Sequence, residues 1–359
     1  MRVAVDAMGG DHAPEAVISG AVAAIRELDA EIVLVGPETR LRQDLGRYRT
    51  EASSIEIVDA PEVIAMEEPP AMALRRKRRA SIVVAFDQLH RGHVQAVVSA
   101  GHTGAALGAA LLGLGRIPGV DRPAIATVIP TLGPTPAILV DAGATVDCKP
   151  QHLQQFALMG TVYANRVLGI ANPRVGILSN GAEDGKGNDL THRAAALLRE
   201  SGLNFIGNLE SRDFFVGQAD VVVCDGFVGN VTLKFGEGLA LAIRDIVKAE
   251  LRGVRGVLLR LYLAPLAGRV RKMFRRIDYR EVGGAPLLGI NGVCIVAHGS
   301  SNGRAIRNAI RVAMEGASQG FVQEILTRMS GLPALESPDI VAGPSPREEA
   351  TSRIEEPTR

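Results

Sequence analysis

The order of local patterns along this 359-residue chain is the feature that most restricts its fold. Short apolar runs alternate with glycine-bearing loops and amphipathic segments of helical period, from Val3-Ala-Val5 to the run 293–297. Apolar strands separated by helices are typical of a parallel sheet covered on both faces. The sequence therefore predicts a three-layer α/β/α protein with a mostly parallel sheet.

Composition excludes several classes of protein. The chain has 47% hydrophobic residues and a formal net charge of +1, which argues against a general nucleic-acid-binding protein. No apolar run reaches the ~18 residues of a membrane-spanning helix, and the first residues enter a strand without the pattern of a signal peptide. The three cysteines are far apart and form no C-x-x-C motif, which favours a reduced, cytoplasmic setting.

The stretch from Val175 to Ala196 has the features of an anion site. A predicted strand is followed by three glycines around Lys186 and then by a helix, whose N-cap we place at Asp189. Backbone N–H groups, the positive end of the helix dipole and a mobile cation together favour a bound anion. The glycine spacing is not that of a Walker A loop. Taken alone, the stretch also fits an ordinary connection with a solvated lysine.

Six predicted strands end in polar loops of similar character. Because the carboxyl ends of parallel strands share one edge of a sheet, where open α/β folds bind ligands, we expect one active site at that edge. The polar residues that end these strands or follow them are Asp6, Ser99, Asp141, Ser179, Asp225 and His298.

Several other sites are disfavoured. No G-x-G-x-x-G motif follows the first strand, so a nucleotide-dependent dehydrogenase is a weak interpretation. His90 and His93 fit a surface helix end better than a zinc pair, and we expect no metal and no cofactor. The run Gly299-Ser-Ser-Asn-Gly303 satisfies G-x-S-x-G, but no histidine follows His298 and the only later aspartate is Asp339. A glycine-rich cradle is therefore favoured over an esterase nucleophile.

Six motifs resemble those of the phosphate acyltransferase family known as PlsX, and the resemblance covers residues 1 to about 330. The family implies a fold similar to phosphotransacetylases and isocitrate dehydrogenase, a homodimer, and transfer of a fatty acyl group from acyl carrier protein to inorganic phosphate. This chain departs from it at His102, where asparagine is usual, and in the detail of residues 179–184. The motifs are DAMGGDHAP (6–14), SAGHTGA (99–105), DRPAIA (121–126), VDCKP (146–150), GKGND (185–189) and CDGFVGNV (224–231).

The resemblance implies that Lys186 and Asn230 are the catalytic residues. A thioester is already activated and phosphate is itself the nucleophile, so the protein needs only to hold an anion and stabilise an oxyanion. We expect Lys186 and the N–H groups of residues 185–188 to neutralise phosphate, and Asn230 to donate to the carbonyl oxygen.

Other residues are expected to support this chemistry. Asp141 and Asp225 would orient loops, since carboxylates repel phosphate. His12 and His298 are candidate proton donors to the leaving thiolate, or else hydrogen-bonded structural histidines. The candidate substrate-binding residues are Gly185, Gly187, Asn188, Asp225, Asp141, Asp11, His12, His102, Thr103, His298 and Ser300.

Two alternative functions stay open at this point. A phosphotransacetylase-like reaction on acyl-coenzyme A uses the same thioester and phosphate chemistry. A non-catalytic membrane-associated scaffold would keep the fold and the anion pocket, although the intact Lys186 and Asn230 argue against it.

The sequence also predicts the domain organisation and a membrane contact. Residues 1–334 form a catalytic domain, and the polar segment 335–359 is a disordered tail. Residues 238–280 form a protruding amphipathic hairpin, rich in arginine, that contacts an anionic bilayer or packs in the dimer interface. We expect a cytoplasmic protein held peripherally at the inner face of the plasma membrane, with the downstream glycerol-phosphate acyltransferase as a further partner. The expected membrane contacts are Leu258, Leu259, Tyr262 and Leu263.

A second basic run, Arg75-Arg-Lys-Arg-Arg79, has two interpretations. It fits a solvated helix face, which is favoured, or a surface for an acidic partner or phosphate.

Overall fold

The computed structural model describes residues 1–48, 54–250 and 283–331. Within these ranges it contains eleven strands and eleven helices. The strands are β1 (Arg2–Asp6), β2 (Glu31–Gly36), β3 (Ile55–Asp59), β4 (Ala96–Ser99), β5 (Ala124–Ile129), β6 (Ala137–Val140), β7 (Val175–Ser179), β8 (Phe205–Glu210), β9 (Val221–Val223), β10 (Ala285–Leu288) and β11 (Val293–Val296). The helices are α1 (Glu15–Leu28), α2 (Glu38–Leu45), α3 (Pro70–Arg76), α4 (Ser81–His90), α5 (Thr103–Gly113), α6 (Pro150–Arg166), α7 (Asp189–Glu200), α8 (Ser211–Val216), α9 (Gly226–Glu250), α10 (Gly303–Ser318) and α11 (Phe321–Ser330).

One sheet runs through the described part of the protein, in the order β3-β2-β1-β4-β11-β10-β5-β6-β9-β7-β8. Apolar side chains alternate between its two faces, so each face has its own buried core. Helices α1, α6, α7, α10 and α11 cover one face, and α3, α4, α5 and α8 cover the other. The prediction of a three-layer α/β/α fold with a mostly parallel sheet is confirmed.

Strand direction reverses near the middle of the sheet. Strands β3, β2, β1, β4 and β11 are parallel, whereas β10 pairs antiparallel with both β11 and β5. Strand β6 pairs antiparallel with β5, and β9, β7 and β8 follow β6 in parallel. The carboxyl ends of β6, β9 and β7 therefore lie at the opposite edge of the sheet from those of β1, β4 and β11.

This reversal corrects the expectation that all six strand ends share one edge. The hairpin between β5 and β6 and the inserted strand β10 change the direction, and β10 was absent from the prediction because Ala285–Leu288 is short and contains a proline. Three strand ends share each edge instead, and the candidate site residues divide accordingly.

The predicted hairpin lies only partly within the described residues, because α9 covers residues 226–250. The four expected membrane contacts and the predicted tail lie outside the described residues. Among the helices of the described ranges, none has both the length and the apolar character needed to cross a bilayer.

Candidate active site

The strand reversal divides the candidate residues into two groups. The Lys186 cluster consists of residues 141–145, residues 179–188 and the first turns of α9, which follow β6, β7 and β9. The amino-terminal cluster consists of residues 6–12, 99–103 and 298–302, which follow β1, β4 and β11. Register places Ile177 of β7 beside Val223 of β9, and Val223 beside Val140 of β6, so the three loops of the Lys186 cluster leave neighbouring strands.

The helix that follows Lys186 begins one residue earlier than its sequence predicts. Its N-cap is Asn188, whose side-chain Oδ1 accepts a hydrogen bond from Thr191 N at 2.9 Å. The Thr191 hydroxyl in turn accepts from Asn188 N at 2.8 Å, which completes a capping box. The prediction that Asp189 is the N-cap is wrong. Asp189 is the first helical residue and pairs with Arg193 one turn later.

Glycines shape the loop that presents Lys186. Gly187 has φ +117°, which L side chains rarely adopt, and a Cβ there would overlap the Thr191 hydroxyl of the capping box. A Cβ on Gly181 would overlap the Lys186 side chain itself. The loop is tied to β8 by Asn208, whose amide donates to Glu183 O at 2.8 Å and to Lys186 O at 3.1 Å. The Lys186 side chain is exposed on this fixed loop.

Only part of the expected backbone cradle is free to bind an anion. Lys186 N donates to Glu183 O at 2.9 Å, and Asn188 N donates to the Thr191 hydroxyl. Among the described residues, the N–H groups of Gly185 and Gly187 have no acceptor, so the expectation for residues 185–188 is narrowed to these two. The Asn188 carbonyl oxygen of the side chain is likewise occupied by the cap, which leaves its amide N–H₂ for a ligand.

Asp141 organises the loop that follows β6. Its side chain is buried and accepts hydrogen bonds from backbone N–H groups of Ile125 at 2.8 Å, Gly143 at 3.1 Å, Ala144 at 2.9 Å and Thr145 at 2.6 Å. Burial raises the pKa of the Asp141 carboxyl, and these donors act against that rise. Both carboxylate oxygens accept hydrogen bonds from these donors, and this geometry supports the expected role of Asp141 in orienting the loop.

Asn230 lies on a helix and not in a loop. Helix α9 begins at Gly226, so the segment expected to be a loop after β9 forms its first turns. Asp225 Oδ1 accepts from Val228 N at 2.9 Å, which satisfies one N–H group at the start of α9. The half-buried Asn230 side chain packs against Gly143, where a Cβ would lie 3.5 Å from Asn230 Cβ. The loop built on Asp141 therefore fixes the position of Asn230.

The cysteines beside this cluster are poor nucleophiles. Burial, together with the charges of Asp141 and Asp225, raises the pKa of Cys148 to about 12. Burial also raises the pKa of Cys224 well above its usual value, again with the two carboxylates contributing. Since the thiolate is the reactive form, both cysteines stay unreactive near neutral pH.

The amino-terminal cluster is built around a second buried aspartate. Asp6 accepts from the Ser99 hydroxyl at 2.7 Å and from Met8 N at 3.3 Å, and burial raises its pKa. The Ser99 hydroxyl accepts from Gly101 N at 3.1 Å. Asp6 therefore holds the loops after β1 and β4 together, as Asp141 holds its own loop.

The histidines of this cluster have their Nδ1 atoms occupied. His102 is the N-cap of α5, and its Nδ1 accepts from Gly104 N at 3.0 Å. His298 Nδ1 accepts from Ser300 N at 3.2 Å and lies 2.9 Å from the Ser300 hydroxyl. In the neutral form each ring therefore carries its proton on Nε2, where it can be donated. His12 is exposed and lines an open cavity of about 530 Å³ between α1, α2 and the start of α10.

The remaining residues of this cluster join its loops. Asp11 N donates to Gly299 O at 2.8 Å, and Thr103 is exposed in the first turn of α5. The serine of the G-x-S-x-G pattern, Ser301, is only 3% exposed, and Asn302 caps α10 by accepting from Ala305 N at 3.1 Å. A buried serine in a helix cap does not reach a substrate, which supports the rejection of an esterase.

Two residues that support the Lys186 cluster, one of them outside it on β8, were missed by sequence reasoning. Asn208 holds the Lys186 loop, and buried Thr145 donates to Pro123 O at 3.0 Å beside the Asp141 carboxylate. Thr145 directly precedes the VDCKP motif, so this motif could have pointed to it. An asparagine inside a strand, as in Phe205–Glu210, gives no signal without the fold. Within the described ranges, no group of three or more His, Cys, Asp and Glu side chains is arranged to hold a metal ion.

The fold is that of an α/β protein with a lysine-bearing glycine loop before a helix, and comparison with known proteins identifies its family. Residues 1–324 match the family described as fatty acid synthesis protein. A phosphate acyltransferase of Heliobacterium modesticaldum is 53% identical over 332 residues, covering 92% of this chain and 98% of that protein. One of Moorella thermoacetica is 51% identical over 343 residues, covering 96% and 99%.

Among solved structures, a phosphotransacetylase from Streptococcus pyogenes matches with a TM-score of 0.62 at 16% identity, over 89% of this chain and 94% of that one. At this identity the match shows a shared fold. The chain belongs to the fatty acid synthesis protein family and, within it, to the phosphate acyltransferases. It is an acyltransferase.

Proposed function

We propose that this enzyme transfers a fatty acyl group from the thioester of acyl carrier protein to inorganic phosphate, giving an acyl phosphate for phospholipid synthesis. The observation that carries the proposal is the placement of Lys186. Lys186 has an exposed side chain and lies in the chain between Gly185 and Gly187, whose N–H groups are free, two residues before the N-cap of α7. A cation, two N–H donors and a helix N-terminus suit the doubly charged phosphate.

The first chemical step needs an anion held against a carbonyl. A phosphate oxygen attacks the thioester carbon, and the carbonyl π electrons move onto oxygen to form a tetrahedral oxyanion. Lys186 neutralises the phosphate, and the Asn230 amide donates to the oxyanion. A neutral donor serves there because it does not compete with Lys186 for phosphate. The Asp141 loop and the Asp225 carboxylate hold Asn230 in place through Gly143 and the first turn of α9.

The second step breaks the carbon–sulfur bond. The oxyanion reforms the carbonyl, the electron pair of that bond leaves on sulfur, and the thiolate takes one proton. The attacking hydrogen phosphate carries a proton that can pass to the thiolate, whereas the expected donors His12 and His298 lie in the amino-terminal cluster, at the opposite edge of the sheet from Asn230. His12, Asp11, His102, Thr103 and Ser300 belong to the amino-terminal cluster, which we assign to substrate binding.

The proposal is tested by following thioester consumption with and without phosphate. We expect phosphate-dependent loss of palmitoyl-(acyl carrier protein) and formation of acyl phosphate, trapped as a hydroxamate. Palmitoyl-coenzyme A at equal concentration should react more slowly. Equal or faster reaction of the coenzyme A thioester would make the enzyme phosphotransacetylase-like, and thioester stable in phosphate would leave a non-catalytic scaffold.

The assembly and location are part of the same proposal. A homodimer is supported by the apolar side chains that α9 exposes, among them Phe227 at 62% and Phe235 at 73%. Peripheral attachment to the inner face of the plasma membrane rests on the sequence of residues 251–277, which is rich in leucine and arginine and has no acidic residue. Such attachment would place the product near a membrane-bound glycerol-phosphate acyltransferase.

Dimer and membrane contact can be tested together. We expect binding to phosphatidylglycerol vesicles, weakened by salt, and none to phosphatidylcholine vesicles. Leu259→Glu with Leu263→Glu should abolish vesicle binding while the dimer persists in analytical ultracentrifugation. If these substitutions split the dimer and leave vesicle binding unchanged, residues 259 and 263 belong to the interface.

A further inference from the structure

Helix α3 and the residues after it present a cationic surface that does not contribute to the stability of the fold. We define the α3 ridge as Met72, Arg75, Arg76 and Arg78, all exposed. In the part of the chain that the structure describes, the three arginines have no ion-pair or hydrogen-bond partner. The neighbouring cations differ: Lys77 pairs with Glu68, and Arg79 pairs with Asp59 at 2.8 Å. Lys77 and Arg79 fix the ridge, and the remaining arginines are left available.

The opposite face of α3 fastens it to the amino-terminal cluster. Leu74 is buried and packs directly on Gly108 of α5, where a Cβ would overlap its side chain. Pro70 lies over Gly104, in the first turn of α5, 2.9 Å from where a Cβ would be. His102 caps that same turn. The ridge is therefore a rigid surface beside a loop of the proposed substrate-binding cluster.

The composition of the ridge is that of an interface for an acidic protein. Arginine and methionine are enriched in protein interfaces, and Met72 is 51% exposed among the arginines. Clustered cations without partners repel one another and contribute nothing to folding. One acidic side chain, Glu67, is also exposed nearby, but it forms no pair with them. Since the whole chain has a net charge of only +1, this local excess marks a place for a negatively charged partner.

We infer that the α3 ridge is the docking surface for the acidic carrier protein that delivers the thioester. The inference rests on the proposed function and assigns the partner's position on the enzyme. The ridge adjoins the amino-terminal cluster, so the long prosthetic arm of the carrier protein has to extend from that edge of the sheet toward Asn230. Electrostatic docking of this kind mainly raises the rate of encounter, and is weakened by salt.

Charge reversal provides the test. In the variant Arg75→Glu, Arg76→Glu, Arg78→Glu we expect KM for palmitoyl-(acyl carrier protein) to rise roughly tenfold or more with kcat unchanged, and the salt dependence of kcat/KM to fall. The KM values for phosphate and for palmitoyl-pantetheine should not move. The control Arg42→Glu, Arg91→Glu, Arg328→Glu makes the same charge change at exposed positions on α2, at the end of α4 and on α11, and should leave KM for the carrier protein as in the wild type.

Every other outcome contradicts the docking surface. An unchanged KM for the carrier protein overturns the docking surface. An equal rise in KM with palmitoyl-pantetheine also overturns it, because that result would place the arginines at the reacting groups. Loss of binding to phosphatidylglycerol vesicles with an unchanged KM would make the ridge a membrane contact. The milder variant Arg75→Ala, Arg76→Ala, Arg78→Ala guards against misfolding and should show the same effect at smaller size. A wild-type enzyme that forms no acyl phosphate from any thioester refutes the proposed function instead.

Discussion

Gly143, in the loop after β6, lies beside Asn230, in the first turns of α9, at the carboxyl edge of β6 and β9. A Cβ on Gly143 would lie 3.5 Å from Asn230 Cβ, and Gly143 has φ +133° because its N–H turns toward the Asp141 carboxylate. A glycine-built loop thus forms one wall of the position that the Asn230 amide occupies. Asn230, the proposed oxyanion donor, is positioned by backbone that is itself held by the buried Asp141 carboxyl group.

The amide of Asn230 should be replaceable neither by a methyl group nor by a carboxylate. Asn230→Ala removes one donor to the oxyanion, for which we expect roughly a 100-fold loss in kcat, about 3 kcal/mol. Asn230→Asp should be worse, since it places a negative charge beside phosphate. Steady-state kinetics with palmitoyl-(acyl carrier protein) measure both, with exposed Asn291→Asp as control. If the aspartate variant is the milder one, Asn230 is not an oxyanion donor.

Lys186 should be required for activity and dispensable for folding. Its side chain is exposed and forms no ion pair among the described residues, so Lys186→Ala removes no packing. We expect roughly a 100-fold fall in kcat/KM for phosphate with an unchanged melting temperature. Arg193→Ala, which removes an exposed cation two turns away that pairs with Asp189, should be nearly neutral. Wild-type turnover in folded Lys186→Ala would refute the assignment.

The two glycines beside Lys186 should respond differently to the same substitution. Gly187→Ala meets both the +117° φ angle and the Thr191 hydroxyl, so it breaks the capping box and should cost about 2 kcal/mol. At Gly185 a Cβ has nothing within 4 Å, and Gly185→Ala should change stability by less than about 0.5 kcal/mol. Urea unfolding measures both. Equal losses would mean that the capping box does not hold the loop.

Asp141 should matter more for stability than Asp225, although both are near Asn230. Asp141→Ala leaves four backbone N–H groups without an acceptor, two of them buried and two part-buried, so we expect a loss of about 3 kcal/mol. Asp225→Ala removes one cap bond of α9 and should cost about 1 kcal/mol. The free energies of unfolding in urea give the comparison. A milder effect at Asp141 would show that its loop is held by other contacts.

The sequence predicts the layers of this fold well and its strand directions poorly. Apolar runs and glycine loops indicate a covered sheet because each run must be buried on both faces. Nothing in Ala285–Leu288 or in the β5–β6 hairpin indicates that these elements reverse the sheet, because direction depends on pairing between distant strands. Without that strand pairing, the candidate residues could not be assigned to the Lys186 cluster or to the amino-terminal cluster.

The same limit applies to individual side chains of the site. The motif around Lys186 predicts an anion loop before a helix, and in the structure this segment is a glycine-bearing loop that leads into α7. The choice of Asn188 over Asp189 as N-cap depends on which side chain reaches Thr191 N, since both residue types are good caps. Asp141 looks like a ligand in sequence because burial and the fixed backbone donors are visible only in the fold.

The ion pair between Arg174 and Asp220 gives a prediction about pH. Arg174 Nε and its backbone N–H donate to Asp220 Oδ2 at 3.0 and 2.9 Å, so the residue before β7 is joined to the residue before β9. Burial alone would raise the pKa of Asp220, but the bonds to Arg174 outweigh it and hold that pKa below 3.8. A lowered pKa in the folded state contributes stability at pH values above the unfolded pKa, and that contribution is lost as pH falls through the folded pKa.

Asp220→Asn should therefore be clearly less stable than the wild type at pH 7, and the difference should shrink as pH falls below about 3.8. Asp184→Asn, whose partner Arg199 is on the surface, serves as control and should change stability little at any pH. Urea unfolding across this pH range measures the difference, and a gap that stays constant with pH would mean that the charge of Asp220 contributes nothing.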